Sequence, residues 1–304
     1  MTAESEGVLS VELVHPDGAS LPGWEPGAHI DLVLADGLVR PYSLSGDPHD
    51  HTRYRLGVLR EPAGRGGSEH VHTVLRPGDR VEVRGPRNHF RLAEAEHYVF
   101  IAGGIGITPI LPMVAAAVAS GARWSLLYGG RTASSMAFTE ELARHGERVW
   151  LCPQDTDGLL PLDSVLATPR ANTLVYCCGP EALLAAVEER CAGWPAGALH
   201  TERFAAPARE PRVEQDGEVE VVLAASGGSV FVPAELPILD VLLESGIDVL
   251  NDCREGICGS CETKVLDGEV DHRDFVLSEA ERRANNCMMV CVSRACGSRL
   301  VLDL

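Results

Sequence analysis

The chain predicts a multidomain protein in three parts: an antiparallel β domain, an α/β domain built on a parallel sheet, and a small α+β domain. Three observations predict it. Residues 1–95 alternate short apolar runs with Gly, Pro and Asp. Residues 96–204 carry buried apolar runs that end in glycine turns and lead into helices. Residues 217–304 hold three cysteines at the spacing C-x4-C-x2-C and a fourth further on. Each pattern belongs to a different layer architecture, and 304 residues are enough for each part to bury its own core.

In residues 1–95 the runs VLSVELV, AHIDLVLA, YRLGVL and DRVEVRG read as strands of a small barrel or sandwich. Two stretches carry possible chemistry. Arg40-Pro41-Tyr42-Ser43 sets a cation, a ring and a hydroxyl on successive outward positions of one strand. Gly64-Arg65-Gly66-Gly67-Ser68 precedes a helical segment, Glu69–Leu75, and could cradle a phosphate with backbone N–H groups aided by Arg65. Most glycine turns bind nothing, and an exposed Tyr beside an Arg is usually a plain strand face.

Residues 96–204 open with the apolar run Tyr98–Ala102, then Gly103-Gly104-Ile105-Gly106-Ile107-Thr108-Pro109, a helix over Ile110–Ser120, the strand Trp124–Tyr128 and a turn at Gly129-Gly130. Strand, glycine turn, helix and strand make a βαβ unit, whose first turn can approach a pyrophosphate. Pro109 falls near the first helical position, where a missing donor costs nothing. A second strand, Thr173–Cys178, ends at Gly179-Pro180 before the helix Glu181–Cys191, bringing a thiol to the carboxyl edge of the sheet. The plain alternative for Cys177 and Cys178 is inert core packing.

Residues 205–216 are Pro-rich, charged and aperiodic, and read as a linker. Beyond them come strands at Glu218–Leu223 and Ser229–Val232, a helix at Ile238–Glu244, the cysteine loop, and strands at Glu262–Leu266, Cys287–Val292 and Leu300–Leu304. Cys253, Cys258 and Cys261, with Cys291 as the fourth, match the plant-type spacing that holds a [2Fe-2S] cluster through thiolates. Gly256, Gly259 and Ser260 keep the loop small enough to turn its N–H groups toward the sulfides. A zinc knuckle is the bland alternative, but only Cys258/Cys261 has the paired spacing zinc favours. A Rieske centre would need His ligands, and the chain has no C-x-H pair. Periodicity leaves Cys287 and Cys291 equally able to face the loop.

The net charge of −18 argues against a nucleic-acid partner. In residues 217–304 there are 7 Lys or Arg against 16 Asp or Glu, a net −9, so that segment suits a partner with a basic patch. Ten cysteines diluted over the chain, and a start without a basic then apolar leader, lead us to expect a reducing cytoplasm; no apolar run is long enough to predict a membrane span.

Taken together, these motifs make the chain resemble the phthalate dioxygenase reductase family over nearly its whole length. The resemblance implies a flavin-binding β-barrel in 1–95, an NADH-binding α/β domain in 96–204 and a [2Fe-2S] ferredoxin domain in 217–304. It further implies that Arg40, Arg65 and the Gly66, Gly67, Ser68 turn hold the flavin phosphate, that Tyr42 flanks the flavin ring and that Ser43 lies near its N5. Gly103, Gly104 and Gly106 with Thr108, Cys178, Gly179 and Pro180 would line the nicotinamide nucleotide site, and Glu202 with Phe204 would close the flavin site. Family position selects Cys291 as the fourth cluster ligand, and FMN over FAD. The implied activity is an NADH-dependent reductase passing electrons through flavin and cluster to a terminal Rieske-type oxygenase or demethylase. Supply to a cytochrome P450 and a redox-sensing regulatory subunit are the alternatives.

Overall fold

The computed structural model describes residues 1–34, 37–207 and 216–304. The chain divides into two compact units, Met1–Phe204 and Ala205–Leu304. Most of the expected linker, residues 208–215, lies outside the described residues.

The first unit begins with β1 (Thr2–Ser5), β2 (Val8–Val14), β3 (His29–Val33), β4 (Val39–Ser43), β5 (Arg53–Leu59), helix α1 (Gly67–Thr73) and β6 (Glu82–Arg87). These strands form two three-stranded antiparallel sheets, β1-β2-β5 and β4-β3-β6, joined by a bridge between Leu44 and Leu56. They share one core of Val11, Ile30, Leu32, Leu44, Leu56 and Val58, closed by Val71 of α1. Period-two alternation supplies it, since Ile30, Leu32, Leu56 and Val58 recur on the same faces.

The parallel sheet follows: β7 (His97–Gly103), α2 (Ile107–Ala119), β8 (Arg123–Gly130), α3 (Thr139–Ala143), β9 (Val149–Pro153), α4 (Gln154–Asp157), α5 (Asp163–Leu166), β10 (Thr173–Cys178), α6 (Glu181–Cys191) and β11 (Leu199–Glu202). Its order is β11-β10-β7-β8-β9, all parallel, so the direction of winding reverses between β7 and β10. Ligands of open α/β sheets sit at the carboxyl ends of the strands at such a reversal. Helix α2 starts earlier than the periodicity predicts, because a single 3-10 turn over Gly104–Gly106 leads straight into it. Pro109 is therefore its third residue, still within the turn whose N–H groups have no helical partner. Gly129 and Gly130 belong to β8 and form no turn; a side chain on Gly130 would strike Met136, 2.3 Å from the added carbon.

Barrel and sheet lock together within this unit. A carbon added to Gly57 of β5 would come 2.6 Å from the Thr108 methyl of α2 and 3.2 Å from the Phe138 ring. Arg55 lies over that ring, 5.2 Å from its centre, and pairs with Glu141 at 2.8 Å.

The second unit contains β12 (Val219–Leu223), β13 (Ser229–Val232), α7 (Ile238–Glu244), β14 (Glu262–Asp267), β15 (Val270–Asp271), α8 (Glu279–Ala284), β16 (Cys287–Met289), β17 (Arg294–Ala295) and β18 (Arg299–Leu302). A mixed sheet runs β13-β12-β18-β14-β16, with β12 and β18 parallel, and β15 pairs with β17. Val221, Leu239, Leu242, Met288, Leu300 and Leu302 form its core beneath the cysteine loop, which connects α7 to β14. The strand expected over Cys287–Val292 stops at Met289, and Cys291 lies in the turn beyond it. That difference matters for the ligand set, because Cys287 and Cys291 do not share a strand face.

Candidate functional site

Strand β4 positions the first group of residues. Period two puts Arg40 and Tyr42 on one face and Ser43 on the other, so the three are not all outward as expected. Ser43 is buried opposite His29 of β3. Arg40 donates from Nη1 to its neighbour's carbonyl, Val39, at 2.7 Å and from Nη2 to the Arg65 carbonyl at 2.6 Å. Its aliphatic stem covers the start of α1 so closely that a carbon added to Gly67 would be 2.4 Å from Arg40 Cγ. Gly66, just before, sits at φ +83°, a conformation glycine adopts without strain. The Ser68 hydroxyl accepts from the Glu61 backbone N–H at 3.0 Å and ties the loop shut, while Arg65 remains exposed on it. Tyr42 packs against the barrel core, and burial raises its phenol to about 12 despite the nearby Arg40 charge.

The second group stands where the winding of the parallel sheet reverses. The turns after β7 and β10 touch through glycine. A carbon on Gly106 would fall 2.3 Å from the Cys178 carbonyl oxygen, and one on Gly103 would fall 2.7 Å from Pro180 and 3.5 Å from Gly179 Cα. Gly104, at φ +55°, faces open space instead. Thr108 is buried, and its hydroxyl donates to the Ile105 carbonyl at 2.9 Å, bracing the turn from the helix side.

Strand alternation also separates the two cysteines of β10. Cys177 packs with Val187 and Cys191 in one core, whereas Cys178 faces the core that holds Tyr128 and Ile107. Burial pushes both thiols well above their ordinary range, so neither is a nucleophile at neutral pH. Cys178 Sγ donates to Glu202 Oε2 at 3.8 Å, and the two residues are in register on β10 and β11. Glu202 is partly buried as a residue, and desolvation of its carboxyl raises it to about 8, against the pull of hydrogen bonds from Cys178 and Ser43. Ser43, Cys178 and Glu202 thus meet at the carboxyl edge of the sheet. Phe204, two residues on, is 43% exposed. The strand carrying Glu202 spans four residues and has no periodicity of its own, so nothing local announces it.

In the second unit Cys253, Cys258, Cys261 and Cys291 are all buried. They interact as two pairs: Cys253 with Cys258, and Cys261 with Cys291. Within each pair the partner's hydrogen bond pulls Cys253 and Cys261 down, while Cys258 and Cys291 are pushed up in return. Backbone N–H groups of Glu255, Ile257 and Cys258 point to Cys253, and that of Gly256 points to Cys291. Ser260 Oγ lies 3.1 Å from Cys258 Sγ. Among the described residues no three of these side chains converge on a single point as one metal ion requires. Two thiol pairs suit two irons, each taking two thiolates, better than one zinc. Cys287 instead lies against Glu262, and Cys296 is exposed. No disulfide joins any two cysteines among the described residues.

A paired-thiolate loop in one unit, and a glycine-lined nucleotide crevice beside a β-barrel in the other, define an electron-transfer oxidoreductase. Comparison with known proteins agrees. Residues 223–296 match the 2Fe-2S iron-sulfur cluster binding domain, and residues 100–150 match the oxidoreductase NAD-binding domain. The chain is 44% identical over 302 residues to the phenoxybenzoate dioxygenase subunit beta of Ectopseudomonas oleovorans, covering 99% of this chain and 94% of that one. The solved structure of phthalate dioxygenase reductase superposes with a TM-score of 0.71 at 38% identity, covering 99% of this chain and 95% of that one. An intact type IV self-sufficient cytochrome P450 monooxygenase superposes with a TM-score of 0.95 at 46% identity; all of this chain is covered, and it spans 40% of the length of that one. The chain belongs to the phthalate dioxygenase reductase family.

Proposed function

We propose that this chain takes hydride from NADH onto FMN bound by residues 1–95, through a nucleotide site in 96–204, and releases electrons singly from a [2Fe-2S] cluster in 217–304 to a terminal Rieske-type oxygenase or demethylase. Bound flavin supplies the conversion from a two-electron donor to a one-electron acceptor, which neither nicotinamide nor cluster performs alone. The observation that carries this reading is the meeting of Ser43, Cys178 and Glu202 at the sheet's carboxyl edge.

In this reading Arg40 and the Gly66–Ser68 turn hold the flavin phosphate, with the Arg65 side chain at its open side, and Tyr42 flanks the ring. Ser43 lies near the reacting flavin nitrogen, held there by the hydrogen bond its hydroxyl gives Glu202. The touching glycines Gly103, Gly106 and Gly179, with Pro180, shape the nicotinamide crevice; Gly104 leaves it open to the pyrophosphate, and Thr108 fixes its helix. Cys178 is a neutral wall that excludes water, and Phe204 covers the flavin edge. Cys253, Cys258, Cys261 and Cys291 ligate the cluster. FMN is favoured because the phosphate turn is short, and cysteines that form no disulfide among the described residues fit a reducing cytoplasm.

The purified protein tests this directly. It should show flavin and broad cluster absorption together, release FMN on heating, and reduce ferricyanide and cytochrome c with NADH; a regulatory protein would show negligible turnover. The 46% identity to a self-sufficient P450 favours a second acceptor, a haem domain. Reconstituting NADH-driven oxygenation with a Rieske oxygenase on one side and a P450 haem domain on the other decides between them.

A further inference from the structure

The cysteine loop leans on a buried acidic residue to which none of the roles above is assigned. Asp274 lies between β15 and α8 with its side chain fully buried. Its Oδ1 accepts the backbone N–H groups of Val276 at 2.9 Å and Leu277 at 2.7 Å. Its Oδ2 has no hydrogen-bond partner among the described residues and faces Nδ1 of His272 at 3.7 Å, where the ring is itself buried. The same residue walls the cluster loop. A carbon added to Gly256 would come 3.1 Å from Asp274 Cα and 3.4 Å from its Cβ, and the Phe275 N–H donates to the Gly256 carbonyl at 2.8 Å. Asp274 therefore backs the glycine that addresses Cys291.

A neutral Asn or Ser caps such a turn as well as Asp does. Burying a carboxylate with one oxygen left over is expensive, so the charge calls for a reason beyond the cap. Arg282 offsets it only in part: the guanidinium is 3.9 Å from Oδ1 and 37% exposed, and its Nη2 is spent on the Asp274 carbonyl. A fixed negative charge in a low-dielectric wall opposes the electron an adjacent cluster accepts, and local charge is one of the levers that set cluster potentials.

We propose that Asp274 is a positioning residue for the cluster loop whose buried charge holds the reduction potential of the [2Fe-2S] cluster low. This rests on reading Cys253, Cys258, Cys261 and Cys291 as the cluster ligands. Asp274→Asn keeps the Oδ1 acceptor and the volume while removing the charge. In a redox titration of the full-length protein followed by visible absorption and EPR, it should retain iron and shift the one-electron equilibrium toward the reduced cluster by about tenfold, which is about 59 mV upward. Asp274→Ser, whose hydroxyl caps the same N–H groups, should shift it the same way. Asp274→Ala, lacking any acceptor, should also lose iron. An unchanged or lowered potential in either neutral capping variant that holds its cluster overturns the proposal. Loss of iron from both overturns it too, because the carboxylate would then be needed for folding the loop rather than for tuning. If the unmutated protein has no [2Fe-2S] spectrum, the ligand reading has failed instead, and the iron assay of that protein separates the two failures.

Discussion

The two units assemble their chemistry over very different distances along the chain. In Ala205–Leu304, three of the four thiols proposed as cluster ligands fall within residues 253–261 of one loop, and only Cys291 arrives from elsewhere. In Met1–Phe204, the three residues that meet are contributed by β4, β10 and β11, and each is useless without the topology that joins them. A metal loop is therefore specified by covalent spacing, with the fold as its support. A hydride site is specified by the fold, with single residues as its finishing. Substitutions should break the first all at once and the second by degrees.

The largest expected effect is in the loop. Cys291→Ser should bleach the cluster absorption and abolish cytochrome c reduction, while NADH-to-ferricyanide activity through the flavin persists. Cys287→Ser should leave the spectrum intact, since that thiol, on β16, sits against Glu262 of β14. The reverse pattern would show that the strand, and not the turn beyond it, supplies the ligand.

In the hydride unit the counterpart is Cys178→Ala. Removing a buried wall beside Glu202 misplaces the reacting groups, and small misplacements of that kind cost on the order of a hundredfold. Stopped-flow flavin reduction should slow accordingly, with flavin content and cluster colour unchanged. Cys177→Ala, on the opposite face, should lower thermal stability without slowing hydride transfer. Gly106→Ala should do both, because its new carbon meets the Cys178 carbonyl at 2.3 Å and overpacking of that kind costs about 1–3 kcal/mol. If Cys177→Ala is the slow variant, the functional face of β10 is the other one.

The same contrast explains how much of each unit is written locally in the sequence. The cysteine spacing, the helix near Ile238–Glu244 and the helix Glu181–Cys191 are local patterns, and the structure places both helices where the sequence put them. The glycines at 103, 106 and 179 were legible as turns that follow strands, yet their mutual contact was not, because two turns far apart in sequence approach only through the strand order. Gly129-Gly130 misled for the opposite reason: a pair of glycines signals a turn, but here they stay in β8, and Met136 packs where a side chain on Gly130 would go. Asp274 and Gly57 carry no motif at all. Their roles arise from what folds against them.

Glu202 gives a pH test of the hydride unit. Burial raises its carboxyl to about 8, so the folded protein keeps a proton that the unfolded chain releases in the ordinary carboxylate range. That raised value contributes stability in full below the unfolded pKa, and the contribution is lost as pH rises through about 8. The melting temperature of the unmutated protein should therefore decline across this window relative to Glu202→Gln, which cannot ionise. Flavin reduction should show a matching inflection near 8 that Glu202→Gln lacks. Parallel melting curves for the two proteins would mean that the carboxyl is solvated and does not help close the site.

The smallest effect concerns the outlet. The segment 217–304 carries a net −9, and charge of one sign on a small domain raises association rates with a basic partner at low ionic strength. Screening acts over about 8 Å at physiological salt, so encounter is weakened first and contact pairs later. Delivery to the terminal partner should fall severalfold as salt rises, while NADH reduction of the flavin, which uses a small substrate in a formed crevice, changes little. Running both assays on one preparation separates docking from hydride chemistry. If delivery is independent of salt, or increases with it, the acidic balance is a matter of solubility, and partner choice must then rest on apolar contacts.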